Sequence, residues 1–174
     1  MNPKRVLILG PESTGKSTLC KDLSTCFSEP WVPEFAREYL LNLNREYVFE
    51  DLSTIAKGQI ESEDQLAEEA DKYLFCDTDL RVIHIWSEVK FGKTAPWILE
   101  EMKRRDYDLI FLCNIDLPWE EDPLREHPDP KMRKTLFNRY LKLVEESGIP
   151  FAIISGERKD RLGDAISNIK LHLT

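Results

Sequence analysis

The sequence predicts an α/β fold, with about five parallel strands in one sheet and helices on both of its faces. Three observations carry that prediction. Short apolar runs alternate with stretches of helical periodicity along the whole 174-residue chain. The runs are apolar at consecutive positions, the pattern of strands buried on both faces of a parallel sheet. The first run also leads into a helix through GPESTGKST, residues 10–18, the setting that a phosphate-binding loop requires.

Each element follows from its residues. Val6 to Leu9 is an apolar run with β-branched members and forms the first strand. Leu19, Leu23 and Phe27 recur at helical spacing and give a helix over 16–27. A short strand falls near 31–35, and helical stretches extend from about 37 to 72. Gly58 lies inside one of these, where glycine costs about 1 kcal/mol against alanine, so either a close contact requires it or the helix kinks there. The acidic residues Glu61 to Glu69 read as a solvated face. YLFCDTD supplies the third strand, helices come near 80–90 and 95–105, and DLIFLCN supplies the fourth strand. Residues 116–130, DLPWEEDPLREHPDP, contain four prolines and six acidic residues, which exclude a strand or a long helix and predict a surface loop. A helix over 131–147, the strand PFAIIS and a helix over 158–172 complete the chain. No repeat or linker divides it, so a single domain over 1–174 is expected, with a lid at about 116–135.

Gly10, Gly15, Lys16 and Ser17 fit the spacing G-x-x-x-x-G-K-[ST] of a P-loop NTPase fold. Glycines permit positive φ and close backbone approach, so the N–H groups of residues 10–18, including Glu12, Ser13, Thr14 and Thr18, converge on a polyphosphate. Lys16 would reach the β- and γ-phosphates of ATP, Ser17 would ligate Mg²⁺, and the helix dipole would add to the anion site. Asp77 emerges at the carboxyl end of the third strand, where such proteins keep the acid of the metal site. Asp79, two residues on, either shares that side and orients an acceptor or the metal, or caps the following helix.

VPEFAREYL, residues 32–40, places Glu34, Arg37 and Glu38 at the same sheet edge. Glu34 is suited to take the proton of an attacking hydroxyl, and Arg37 to bind the acceptor; a surface ion pair is the alternative. Arg125, in the proline-rich loop, and Lys131, Arg133 and Lys134, just after it, put cations at a helix N-terminus, against its dipole. Arg125 and Arg133 folded over a triphosphate would account for that placement. SGERKDRL, after the last strand, is expected to flank the nucleotide base. Trp31 and Trp119 are placed to stack on an aromatic ligand, whereas Trp86 and Trp97 read as core.

With 24 basic and 32 acidic residues and a net charge of −8, the chain disfavours polynucleotide and anionic-membrane partners. Its N-terminus enters a strand within a few residues, with neither a signal peptide nor a long apolar span, so cytoplasmic residence is expected. The four cysteines form no C-x-x-C pair and read as reduced, structural thiols.

The ordered set GPESTGKSTL, PEFAREY, FCDTD, DLIFLCNIDLPWEEDPLR and MRKTLF, covering nearly the whole chain, resembles the kinase domain of NadR-type nicotinamide riboside kinases, within the P-loop nucleoside kinases and AAA-like ATPases. The resemblance implies ATP and Mg²⁺ as cofactors and transfer of the γ-phosphoryl group to a nucleoside 5′-hydroxyl in NAD salvage. On that pattern Lys16 and Ser17 hold phosphates and metal, and Asp77 belongs to the metal site. Glu34, Arg37 and Asp79 face the acceptor, and Arg125 and Arg133 belong to the lid. The nucleotidyltransferase and DNA-binding segments of larger members are not expected here. The family aromatic before the glutamate is Pro33 in this chain, with Trp31 two residues earlier. The alternatives are a regulatory nucleotide switch and a kinase for another nucleoside or a nucleotide. They differ in whether a small acceptor stimulates turnover.

Overall fold

The computed structural model describes residues 2–174. Strands β1 (Lys4–Leu9), β2 (Trp31–Val32), β3 (Tyr73–Asp77), β4 (Leu109–Cys113) and β5 (Phe151–Ile154) form one parallel sheet in the order β2-β3-β1-β4-β5. Helices α1 (Lys16–Phe27), α2 (Phe35–Asn42), α3 (Phe49–Glu69), α4 (Leu80–Phe91), α5 (Pro96–Arg104), α6 (Pro130–Ser147) and α7 (Arg158–Leu173) cover both faces. The predicted class and strand number are borne out.

Alternation along β1 shows how the sheet is buried. Val6 and Ile8 pack with Leu19 and Leu23 of α1 and Ala165 and Ile169 of α7 on one face. Leu7 and Leu9 pack with Ile85 of α4 and Leu136 and Val144 of α6 on the other. All four are fully buried, which is why the run carries no polar residue. The register sets Ile8 beside Asp77, so the phosphate-loop segment after β1 and the end of β3 emerge side by side.

One stretch is shorter than the sequence expectation, and the helical stretches after it are as expected. β2 stops at Val32, shorter than 31–35, because Pro33 has no N–H to continue the ladder. The region from 37 to 72 is two helices separated by residues 43–48, a break that carries Tyr47 to the active-site cleft. Gly58 marks a close contact and no interruption: α3 runs through it, and a Cβ there would lie 2.3 Å from ring atoms of Phe35.

Candidate active site

The loop after β1 is shaped by its glycines. Gly10 has φ 144°, and a Cβ on it would stand 2.8 Å from the Cys113 carbonyl oxygen. Gly15, at φ 78°, opens α1. The Nζ of Lys16 crosses the loop to donate to the Pro11 carbonyl at 2.8 Å, and the Thr14 hydroxyl donates to the same oxygen at 2.8 Å. Arg161, buried in α7, fastens the loop from behind. Its guanidinium donates to the Thr14 carbonyl at 2.8 Å and the Gly156 carbonyl at 2.7 Å, and it pairs with Asp116. Such a cradle is ordered in advance, which lowers the cost of binding an anion.

Ser17 and Asp77 line the cleft beside this cradle. The Ser17 hydroxyl donates to Oδ2 of Asp77, while Oδ1 of the same carboxylate is buried with no partner. A hydroxyl and a carboxylate with one orphaned oxygen suit a hard cation that takes its remaining ligands from water and phosphate, as Mg²⁺ does. Among the described residues no cluster of three His, Cys, Asp or Glu side chains forms an all-protein metal cage. Burial raises Asp77 from the ordinary carboxylate range, against Lys16 and the Ser17 hydrogen bond. Burial also pushes Glu34 up to about 7, opposed by Lys16 and reinforced by Asp77. Glu34 is the N-cap residue of α2, so the end of β2 fixes its backbone.

Loop residues 10–18, Trp31, Glu34, Arg37, Asp77 and Arg125 all line one cleft of about 830 Å³. Part of its lining forms an apolar recess, with Ile85, Val89, Leu136 and Tyr140 together with Trp86 and Tyr47. Trp86, expected in the core, is partly buried and faces this space. The segment between β4 and α6, the expected lid, also lines this cleft. Arg37 holds Asp122 at 2.6 Å, and the Glu12 carboxylate accepts the N–H groups of Glu126 and His127, each at 3.0 Å. Arg125 reaches the Ser13 hydroxyl at 3.3 Å.

Asp79 and Arg133 depart from their expected places. Thr78 adopts φ 73°, so β3 ends there and the two-residue alternation that would have put Asp79 beside Asp77 is broken. Asp79 instead caps α4 through the Arg81 N–H at 2.9 Å, pairs with the buried Arg81 guanidinium, and does not line the cleft. Arg133 is buried outside the cleft wall and donates to the Ser13 carbonyl at 3.1 Å. Its guanidinium and that of Arg125 both lie over the Trp119 ring, which is therefore occupied by the lid itself. Sequence reasoning missed Tyr47, Trp86 and Arg161 as site residues. Only SGERKDRL gave a signal for Arg161, as a loop at the right sheet edge.

The AAA domain family model matches residues 5–161. The chain belongs to the AAA domain family. The trifunctional NAD biosynthesis/regulator protein NadR of Escherichia coli (strain K12) is 29% identical over 161 residues, covering 90% of this chain and 39% of that protein. The chain thus spans about two fifths of the length of this curated relative. A structure of NadR in complex with NR superposes with a TM-score of 0.79 at 23% identity, covering 98% of this chain and 51% of the other. NadR in complex with NAD and AMP-PNP gives 0.76 at 22%, covering 98% and 49%. Thymidylate kinase from Ehrlichia chaffeensis gives 0.71 at 12%, covering 97% and 100%. This AAA domain has the fold of P-loop kinases, and the resemblance read from its motifs to the NadR kinase domain is borne out.

Proposed function

We propose that this AAA domain is an ATP-dependent kinase, a single cytoplasmic unit that transfers the γ-phosphoryl group of ATP to a nucleoside hydroxyl, with nicotinamide riboside the leading acceptor. The observation that carries this reading is the position of Glu34. It lines the same cleft as the phosphate cradle and the Ser17–Asp77 pair, near enough for Lys16 and Asp77 to act on its charge, and its affinity for a proton is matched to neutral pH. The relatives co-crystallised with NR and with AMP-PNP support the choice of both substrates.

Loop N–H groups and Lys16 hold the phosphates in line with the acceptor. Ser17 and Asp77 would hold Mg²⁺, which would neutralise charge on the transferred group. Glu34 takes the proton of the attacking hydroxyl. Arg125 offsets charge at the phosphates, and the closed lid excludes water. Trp86 and Tyr47, with Trp31 nearer α1, supply aromatic surface for the acceptor ring, a role the Pro33 position cannot fill. Arg37 and Arg45, which line the cleft, are each held by a carboxylate of their own, Asp122 at 2.6 Å and Asp51 at 2.7 Å. With those cations engaged, an uncharged 5′-hydroxyl is a better fit than a 5′-phosphate. Calorimetric titration in the presence of Mg²⁺ and AMP-PNP tests this: nicotinamide riboside should bind and its 5′-monophosphate bind much more weakly. Equal or tighter binding of the monophosphate would turn the reading toward a nucleotide kinase.

A further inference from the structure

Tyr47 sits between α2 and α3, in a segment that the phosphate chemistry does not explain. Its hydroxyl accepts from Nε1 of Trp86 at 3.0 Å and donates to the Glu126 carboxylate, whose oxygens lie 2.9 and 3.0 Å away. Trp86 walls the recess, and its ring meets that of Tyr47 edge to face at 5.0 Å. Glu126 belongs to the lid, and its backbone N–H, with that of His127, donates to Glu12 of the phosphate loop. Lys90 completes the group, 5.3 Å above the Tyr47 ring and 3.8 Å from the Glu126 carboxylate. One hydrogen-bonded chain therefore runs from the recess wall, through Tyr47 and the lid, to the loop that cradles phosphate.

These bonds are poorly placed to stabilise the fold, because Glu126 is exposed and such contacts contribute little there. Their value lies in what they join. Burial, the largest influence, and the Glu126 carboxylate push the Tyr47 phenol up to about 12, against the bond from Trp86, so at neutral pH it stays a donor to the lid. A ring packed on Trp86 fixes the indole, and the indole N–H in turn fixes the phenol and the lid carboxylate.

We propose that Tyr47 and Glu126 are positioning residues that make lid closure over the phosphate loop depend on the occupant of the acceptor recess. The inference rests on the kinase reading and adds to it a reason why ATP is spared when no acceptor is present. Two rates test it, ATP hydrolysis without acceptor and phosphoryl transfer to nicotinamide riboside, in the intact chain and in Tyr47→Phe, Glu126→Ala, Glu12→Ala and Tyr47→Phe/Glu12→Ala variants. Tyr47→Phe keeps the ring against Trp86, and Glu126→Ala removes only an exposed lid side chain, so each checks the other should one fold poorly.

Each of the three single variants should lower the ratio of transfer to hydrolysis by about tenfold, because a lid released from the recess admits water. The double variant should be no worse than the poorer single one, since both residues act through one chain. A merely structural role would lower both rates together and leave the ratio unchanged. An unchanged ratio in the three single variants, or additive losses in the double, overturns the proposal while leaving the kinase reading in place. A wild-type chain that transfers to no nucleoside overturns both, and is told apart by that result alone.

Discussion

The Ser17 hydroxyl donates to one oxygen of Asp77, and the other oxygen of that carboxylate is buried without a partner. A buried acceptor left unpaired is costly, and a cation is the partner that removes the cost. Asp77→Asn keeps an acceptor for Ser17 and removes the charge. The ratio of ATP affinities with and without Mg²⁺ should collapse toward one, and turnover should fall by roughly two to three orders of magnitude, as when one preorganised electrostatic group is lost. Unaltered Mg²⁺ dependence of ATP binding would move the metal site elsewhere.

Glu34 must be ionised to accept a proton, and its cleft holds it at about 7. The value of kcat/KM for the acceptor should therefore rise with unit slope up to about pH 7 and level off above it. Glu34→Gln should lose this limb and lower turnover by about 10² to 10⁴, with much less effect on ATP binding. A wild-type profile flat from pH 5 to 8 would remove Glu34 from the chemistry.

The same carboxylate limits stability at high pH. Its folded value lies above the 4.5 of the unstructured chain, so between those limits the folded state binds the additional proton. Stability from this group is then fully present below about pH 4.5 and is lost as pH rises through about 7. Glu34→Gln, neutral throughout, should melt at a higher temperature than wild type at pH 8 and close to it at pH 5. A melting difference independent of pH would contradict the assignment.

Gly58 ties the fold to the site. Alanine there would gain helix propensity of about 1 kcal/mol, but its Cβ would lie 2.3 Å from the ring of Phe35, the residue after Glu34. Overpacking of this kind costs about 1–3 kcal/mol and displaces the obstructing ring. Gly58→Ala should be destabilised in chemical denaturation and should also lose turnover through Glu34. A stabilised variant with full activity would show that the contact relaxes freely.

The sheet and its phosphate loop were legible because both rest on local pattern: apolar runs at consecutive positions and glycines at fixed spacing. Glu34, Arg37 and Asp77 were legible too, since the carboxyl edge of a parallel sheet gathers the residues at the ends of its strands and just beyond them. Asp79 was misplaced by one backbone angle at Thr78, a β-branched residue in a left-handed conformation that no periodicity announces. Glu12 sits inside the loop motif, yet its carboxylate serves the lid, a contact between residues 114 positions apart. Trp86 had the spacing of a core residue and does pack against the core, but its ring also meets Tyr47, from the segment between α2 and α3, and lines the cleft, contacts that no periodicity announces.

The most direct measurement is mass spectrometry of the products formed from Mg²⁺-ATP and a panel of nucleosides that includes nicotinamide riboside, alongside ADP release. Acceptor-stimulated ADP release with formation of a nucleoside 5′-monophosphate, nicotinamide mononucleotide first among them, is the expected result. Slow ADP release that no nucleoside stimulates, with no phosphorylated product, would contradict the kinase reading and favour a nucleotide switch.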